Sequence, residues 1–137
     1  MMRNTTQRGF SLIELLIVVV IASILTMIAV PSYQASVIKS RRAEGKVALN
    51  DIAQKLERCF TQFGSYNAAG CGIVNAQVIQ SQEGFYAVTV AIPNASTYTL
   101  TGAPQGVQVS DALCGSLGIN STGVRTKTGT SALQYCW

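Results

Sequence analysis

A long, almost uniformly apolar run begins at Phe10. Between Phe10 and Val30 the only ionisable side chain is Glu14. A helix of these 21 residues has a length of roughly 31 Å, close to the roughly 30 Å of a bilayer core. We therefore expect a hydrophobic transmembrane or interfacial helix over residues 10–33. Pro31 interrupts the run, and the sequence predicts that the helix bends there and then resumes.

An amphipathic pattern follows the apolar run. Apolar residues recur at helical spacing at positions 48, 49, 52, 56, 59, 60 and 63, which predicts an amphipathic half of the same helix over residues 34–64. Gly64 is expected to end it. The opposite face is predicted to be charged and solvated, and it contains Arg42, Lys46, Asp51, Lys55, Glu57 and Arg58.

The composition changes after Gly64 to one typical of strands and turns. Residues 85–92 and 96–103 alternate between apolar and polar side chains around Pro93-Asn94, which predicts an antiparallel hairpin. Residues 114–120 form a weaker third candidate strand, and a final short strand is expected near residues 133–137. The predicted fold class is α+β, in which three or four antiparallel strands over residues 65–137 pack on the amphipathic half of the helix.

The composition argues against an enzyme. The chain has no histidine, the commonest general base and metal ligand. It has no nucleophile elbow, no phosphate-binding loop and no cluster of carboxylates. Glu83 and Asp111 are isolated acids, which we expect to be solvated in loops. We therefore expect no catalytic residue, no cofactor and no metal.

Four cysteines follow the apolar run, at Cys59, Cys71, Cys114 and Cys136. An even number in a small extracytoplasmic domain favours two disulfides. Reduced thiols are one alternative, and a zinc site ranks last because no closely spaced pair is present. Three pairings exist in principle. We favour local closure, Cys59–Cys71 and Cys114–Cys136, in which the second bond ties Trp137 to the domain.

Basic residues suggest two surfaces of different kinds. Ten bases and six acids give a formal net charge of +4, which by itself is too weak to indicate a nucleic-acid partner. Arg125 and Lys127 are candidates for contacts with DNA phosphates, although a solvated hairpin tip is the favoured interpretation. Lys39, Arg41 and Arg42 follow the apolar helix directly, a position that favours lipid headgroups.

The stretch "RGFSLIELLIVVVIASIL" at residues 8–25 resembles the N-terminal signature of type IV pilins and the related pseudopilins. The resemblance implies that residues 1–9 are a leader, that prepilin peptidase cleaves between Gly9 and Phe10, and that it N-methylates Phe10. It also implies assembly by helix-bundle packing. Because an isolated acid in an apolar helix costs about 2.5–3.5 kcal/mol, Glu14 is expected to pair with the Phe10 amine of a neighbouring subunit.

One feature departs from this signature. Many relatives have a glycine midway between Glu14 and Pro31, where this chain has Ala22 and Ser23. The glycine is associated with partial unwinding of the helix in filaments of the family. The sequence leaves open whether the helix stays straight at this point.

The globular half resembles type IVa minor pilins of the PilE type, in which a Cys-Gly-x-Leu strand is joined by a disulfide to a Cys-Trp end. The implied function is a minor subunit of a type IV pilus. A major pilin, a type II secretion pseudopilin and a DNA-binding competence pilin are the alternatives. The pseudopilin is less favoured because residues 104–137 contain a single acid, Asp111, too few for the calcium site of major pseudopilins.

The resemblance also implies partners and a location. The expected partners are other pilin subunits, prepilin peptidase, the inner-membrane assembly machinery and, before assembly, membrane lipid; DNA is a less favoured partner. The chain is expected in the bacterial inner membrane with its globular part in the periplasm, and in the extracellular pilus after assembly. Roles in adhesion and twitching motility are compatible with this assignment.

Overall fold

The computed structural model describes residues 9–137. All of the expected leader except Gly9 therefore lies outside the described residues. Contacts divide the chain into two compact units, one ending at Ser36 and the other beginning at Val37. Helix α1 (Leu12–Phe63) contributes to both units, and each unit is described separately below.

Helix α1 matches the predicted long helix closely. It begins at Leu12, two residues after the expected start, and continues through Ala22, Ser23 and Pro31. A bend at Pro31 stays a prediction. The helix ends as expected at Gly64, which has a φ of 69° and donates its backbone N–H to the Phe60 oxygen at 2.8 Å. This left-handed conformation suits glycine because other residues carry a Cβ that crowds the backbone there.

The N-terminal unit presents its apolar side chains outward. Every described residue from Gly9 to Ser36 is exposed. By length and composition, α1 contains a segment able to cross a membrane. Hydroxyl groups within the segment bond to its own backbone: Ser23 donates to the Val20 oxygen at 2.7 Å and Thr26 to the Ala22 oxygen at 3.0 Å. An apolar surface of this extent is unfavourable in water, so it suits lipid or neighbouring helices.

The second unit contains a five-stranded antiparallel sheet. Its strands follow one another in sequence order and are β1 (Val78–Gln80), β2 (Tyr86–Asn94), β3 (Thr97–Pro104), β4 (Leu117–Asn120) and β5 (Arg125–Lys127). The expected count of three or four strands was too low. The edge strands β1 and β5 have three residues each, too few for an alternating pattern to identify them.

The predicted final strand near residues 133–137 was wrong. Leu133–Cys136 form the short helix α2, in which the backbone N–H of Trp137 donates to the Leu133 oxygen at 3.0 Å. The alternation of apolar and polar residues in so short a segment does not distinguish a strand from a helical turn.

The core of this unit lies between α1 and the sheet. Leu49 and Leu56 of α1 and Leu100 and Leu117 of the strands are fully buried, and each contributes about 1.5–3 kcal/mol of transfer free energy. Gly45 allows the close approach, because a Cβ at this position would lie 2.7 Å from a ring carbon of Tyr86. The predicted packing of the amphipathic half of the helix on an antiparallel sheet is confirmed.

Candidate functional site

A buried ion pair connects α1 to the segment before β4. Arg42 donates from Nε and Nη2 to the two carboxylate oxygens of Asp111, each at 2.9 Å, and the two side chains are 3% and 1% exposed. Their assignment to a solvated helix face and a solvated loop was therefore wrong. The spacing of Arg42 on the helix gave no sign of a partner so distant in sequence.

Gln108 extends this buried network. Its side-chain amide lies within hydrogen-bonding distance of the Tyr86 hydroxyl at 3.2 Å, the Asp111 carboxylate at 3.3 Å and the Ile38 backbone oxygen at 3.3 Å. Because residues 106–110 form a 3₁₀ turn, this amide ties the turn to α1 and β2. The network fixes the region that leads into Cys114.

Two disulfides close local loops of the second unit. The structure joins Cys59 to Cys71 and Cys114 to Cys136. On the same stretch of α1 as Cys59, the Glu57 carboxylate accepts hydrogen bonds from the hydroxyls of Tyr66 and Tyr98 at 3.0 Å. The second disulfide holds α2, and with it the end of the described chain, against the segment before β4.

Trp137 follows Cys136 of this second disulfide and makes three contacts with two elements, α1 and β5. Its indole N–H donates to the Thr126 oxygen on β5 at 2.9 Å. The guanidinium carbon of Arg125 lies 5.0 Å from its ring, within the range of a cation–π contact. Lys46 on α1 donates from Nζ to the Trp137 backbone oxygen at 3.2 Å.

Three basic side chains, Lys39, Lys46 and Arg125, form what we call the cation cluster. Lys39 and Lys46 are two turns apart on α1, roughly 10 Å along its axis, and both lie on the face that also carries Arg42. Burial and then the positive charges of Arg42, Arg125 and Lys39 lower the pKa of Lys46. Within residues 9–137, no Asp or Glu side chain forms an ion pair with any of the three.

Arg125 and Lys127 lie at the two ends of edge strand β5, not on the loop expected from the sequence. They share one face of the strand because side chains alternate. Lys127 donates from Nζ to the Gly129 backbone oxygen and is half-buried, so it is less available than Arg125. The helical spacing of residues 39, 42 and 46 was a signal in the sequence that Lys39 and Lys46 share one face of α1. The sequence contained no signal for Trp137.

The expected processing and assembly residues lie in the N-terminal unit. Phe10 is 80% exposed, and Gly9, Glu14 and Pro31 are also exposed. In the part of the chain that the structure describes, Glu14 forms no ion pair. The expected partner of Glu14 belongs to a neighbouring subunit, so a single chain does not test the pairing.

Two family models match the chain. One, described as "Type IV minor pilin ComP, DNA uptake sequence receptor", matches residues 31–118. The other, described as "Prokaryotic N-terminal methylation motif", matches residues 4–30. Together they cover the N-terminal signature, the amphipathic half of α1 and the sheet as far as β4.

The chain is also similar to characterised fimbrial proteins. It is 34% identical over 112 residues to the fimbrial protein EcpC of Eikenella corrodens, covering 78% of this chain and 72% of that protein. It is 35% identical over 112 residues to a fimbrial protein of Dichelobacter nodosus, covering 77% and 66% respectively. It spans about half the length of a Neisseria meningitidis fimbrial protein, with 29% identity over 93 residues, or 66% of this chain and 53% of that protein.

Two solved structures share the fold. A type IV pilin from Shewanella oneidensis superposes with a TM-score of 0.54 at 24% identity, covering 73% of this chain and 97% of that one. The Neisseria meningitidis non-core minor pilin PilV gives a TM-score of 0.53 at 20% identity, covering 71% and 92%. At these identities the superpositions show a common fold.

Proposed function

This chain belongs to the family described as type IV minor pilin ComP, DNA uptake sequence receptor, and from that premise we propose that its cation cluster binds the phosphate backbone of DNA. The chain is a minor structural subunit of type IV pili. It belongs to a family of pilus proteins and not to an enzyme family. DNA binding is the function that the geometry of its globular unit supports best.

The observation that carries the proposal is that Lys46 and Arg125 meet at Trp137, with Lys39 two turns away from Lys46 on α1. Within residues 9–137, no Asp or Glu side chain pairs with any of the three. Lys39 and Lys46 come from α1 and Arg125 from β5.

Burial lowers the pKa of Lys46, and so, to a smaller extent, do the positive charges of Arg42, Arg125 and Lys39. A bound phosphate relieves the repulsion among these charges, and its counterions are released on binding. The matched family region includes Lys39 and Lys46 and ends before Arg125. Lys127 is a candidate for an additional, weaker contact on the same strand.

The net charge of the second unit permits a phosphate partner but does not locate its site. The second unit contains eight bases and five acids, and the buried pair of Arg42 with Asp111 neutralises one of each. An excess of three positive charges remains. Phosphate contacts of this kind position a protein on DNA without reading its sequence. Recognition of a particular sequence therefore needs base contacts beyond these cations.

Binding of a labelled duplex by the full-length, detergent-solubilised protein tests the proposal. Alanine at Lys39, Lys46 or Arg125 should each weaken affinity roughly 5–10-fold at about 0.1 M salt. Arg58→Ala is the matched control, because Arg58 is an exposed cation of α1 outside the cluster, and it should change affinity less than about twofold. Equal effects of all four substitutions would show that binding follows overall charge and would remove the assigned site.

Processing and assembly belong to the same function. Prepilin peptidase processes the N-terminal methylation motif, and pilins assemble with other pilin subunits. We propose that the bond cleaved is Gly9–Phe10, that Phe10 is N-methylated, and that Glu14 pairs with the Phe10 amine of the neighbouring subunit. Intact mass of the protein from pili tests the first two: it should correspond to a chain beginning at Phe10 with one added methyl group.

The exposed N-terminal segment supports a corresponding domain organisation. We propose a leader at residues 1–9, a membrane and assembly helix at 10–33, an amphipathic half at 34–64 and a globular region at 65–137. The apolar helix is consistent with anchoring in a membrane before assembly into the pilus. We further propose that this is the bacterial inner membrane, where lipid and the assembly machinery are partners and the globular region faces the periplasm, and that the finished pilus is extracellular.

A further inference from the structure

We propose that Trp137 is the positioning residue of the DNA site, holding the side chains of Arg125 and Lys46 side by side so that both meet one stretch of phosphate backbone. The inference rests on the DNA-binding function proposed above. It adds the residue that sets the geometry of two of the three cations.

The contacts of Trp137 connect the two cations directly. Its indole N–H is anchored on the Thr126 oxygen at 2.9 Å, which fixes the ring against β5. Arg125, the residue before Thr126, has its guanidinium carbon 5.0 Å from the ring. Lys46 reaches the backbone oxygen of the same tryptophan at 3.2 Å. A single residue therefore brings together a cation from α1 and a cation from β5.

These contacts leave all the guanidinium donors of Arg125 and two of the three donors of Lys46 free of Trp137. The five N–H donors of arginine lie in the guanidinium plane, and a contact with an aromatic ring uses the charge without occupying any of them. Lysine has three N–H donors, of which the Trp137 oxygen occupies one. Arg125 can thus donate to a phosphate in bidentate fashion, while Lys46 retains two donors.

The contact with Trp137 favours binding because it restricts the Arg125 side chain before DNA arrives. Arg125 is exposed at the edge of the sheet, where a long side chain otherwise samples many rotamers. Immobilising such a side chain costs entropy on association. Because the indole already restricts Arg125 in the free protein, less of this cost remains when DNA binds.

Trp137 is itself held firmly in place. The preceding residue, Cys136, is fully buried and bonded to Cys114. The backbone N–H of Cys114 donates to the Asp111 carboxylate at 3.3 Å, and the same carboxylate pairs with Arg42 on α1. A covalent bond and a buried ion pair thus connect the tryptophan to the helix that carries Lys46.

A double-mutant cycle on the full-length protein in detergent tests the inference. The variants are Arg125→Ala, Trp137→Ala and the combination of both. Trp137→Leu keeps apolar volume but has no ring, and Trp137→Phe keeps a ring. Duplex affinity is measured over a range of salt concentrations. Thermal unfolding and the mass of the intact disulfides verify the fold of each variant.

We expect Trp137→Ala to weaken binding nearly as much as Arg125→Ala, roughly 5–10-fold at about 0.1 M salt. The double variant should lose much less affinity than the product of the two single losses, because Trp137 acts on binding largely through Arg125. The slope of log affinity against log salt should become shallower in both tryptophan variants, although neither removes a charge; a purely structural role would not change this slope. Trp137→Phe should recover part of the loss, because it restores the ring face.

Other outcomes overturn the inference in distinguishable ways. If folded Trp137→Ala and Trp137→Leu bind like the parent while Arg125→Ala is weakened, Trp137 is not a positioning residue and the DNA site stands. Multiplicative losses in the double variant would likewise show that the two residues act independently. A parent protein that does not bind duplex DNA overturns both the site and its positioning residue.

Discussion

Arg42 and Asp111 form a bidentate ion pair across 69 positions of the chain, with both side chains almost completely removed from solvent. The pair joins the helix that carries two of the proposed DNA contacts to the segment that leads into the Cys114–Cys136 disulfide. It neutralises Arg42, so this cation is not available to DNA although it lies between Lys39 and Lys46 on the helix.

Removal of one partner should destabilise the globular unit strongly. Asp111→Ala leaves a buried guanidinium without its carboxylate, which costs about 3–5 kcal/mol in unfolding free energy. Replacement of both residues, as in Arg42→Met with Asp111→Leu, should cost less than the single change because no buried charge remains unpaired. Denaturant titration of the purified chain measures both. A double variant as unstable as Asp111→Ala would show that the pair contributes something other than mutual neutralisation.

The two disulfides should have different effects on DNA binding. Cys114→Ser with Cys136→Ser frees the segment that carries Trp137, and should both lower stability by about 3 kcal/mol and weaken DNA binding. The matched variant, Cys59→Ser with Cys71→Ser, should lower stability but leave affinity for DNA near that of the parent. Thermal unfolding and duplex titration of the two variants provide the comparison. Equal weakening by both pairs would point to a general loss of folding.

DNA affinity should depend on the protonation of Lys46. Burial and neighbouring cations lower its pKa below the ordinary value of 10.5, whereas a nearby phosphate favours the charged form and raises it. The DNA-bound state therefore holds its proton more tightly, so affinity is full below the pKa of the free protein and falls as pH rises through it. Lys46→Arg stays charged and should be less sensitive over this alkaline range. The affinity for duplex DNA is measured against pH for the parent protein and for Lys46→Arg. Identical pH profiles of the two would contradict the role of Lys46.

The sequence made the long helix and the central hairpin predictable because both contain enough residues to display a period. It did not identify β1 and β5, whose three residues are held by pairing with neighbouring strands. It also assigned Arg42 and Asp111 to solvent, since each is an ordinary charged residue in its local context. Their burial depends on a contact between distant segments, which no local pattern reports.

The candidate site, too, was only partly predictable from the sequence. Arg125 was selected as an exposed base, and the spacing of Lys39 and Lys46 on the helix is visible in the sequence. Lys46 and Arg125 come together because both contact Trp137, a residue distant in sequence from Lys46. Trp137 could not be recognised as the link because its role arises from three contacts with α1 and β5.

Assembly should depend on the charge of Glu14. Glu14→Ala leaves the Gly9–Phe10 junction intact, so the leader should still be removed, but the variant lacks the partner of the neighbouring amine. We expect normal processing and at least a tenfold loss of incorporation into pili, consistent with roughly 1.4 kcal/mol or more of lost pairing. Immunoblots of membranes and sheared pili measure the two steps. Normal incorporation of the processed variant would refute the charge pairing.

The salt dependence of duplex binding tests the cation cluster most directly. The slope of log affinity against log salt counts the phosphates neutralised, at about −0.9 for each contact. Substitution of Lys39, Lys46 and Arg125 together by alanine should make the slope shallower by roughly 2.7 units, while Arg58→Ala leaves it unchanged. A triple variant that retains the slope and affinity of the parent would contradict the assignment of DNA binding to this surface.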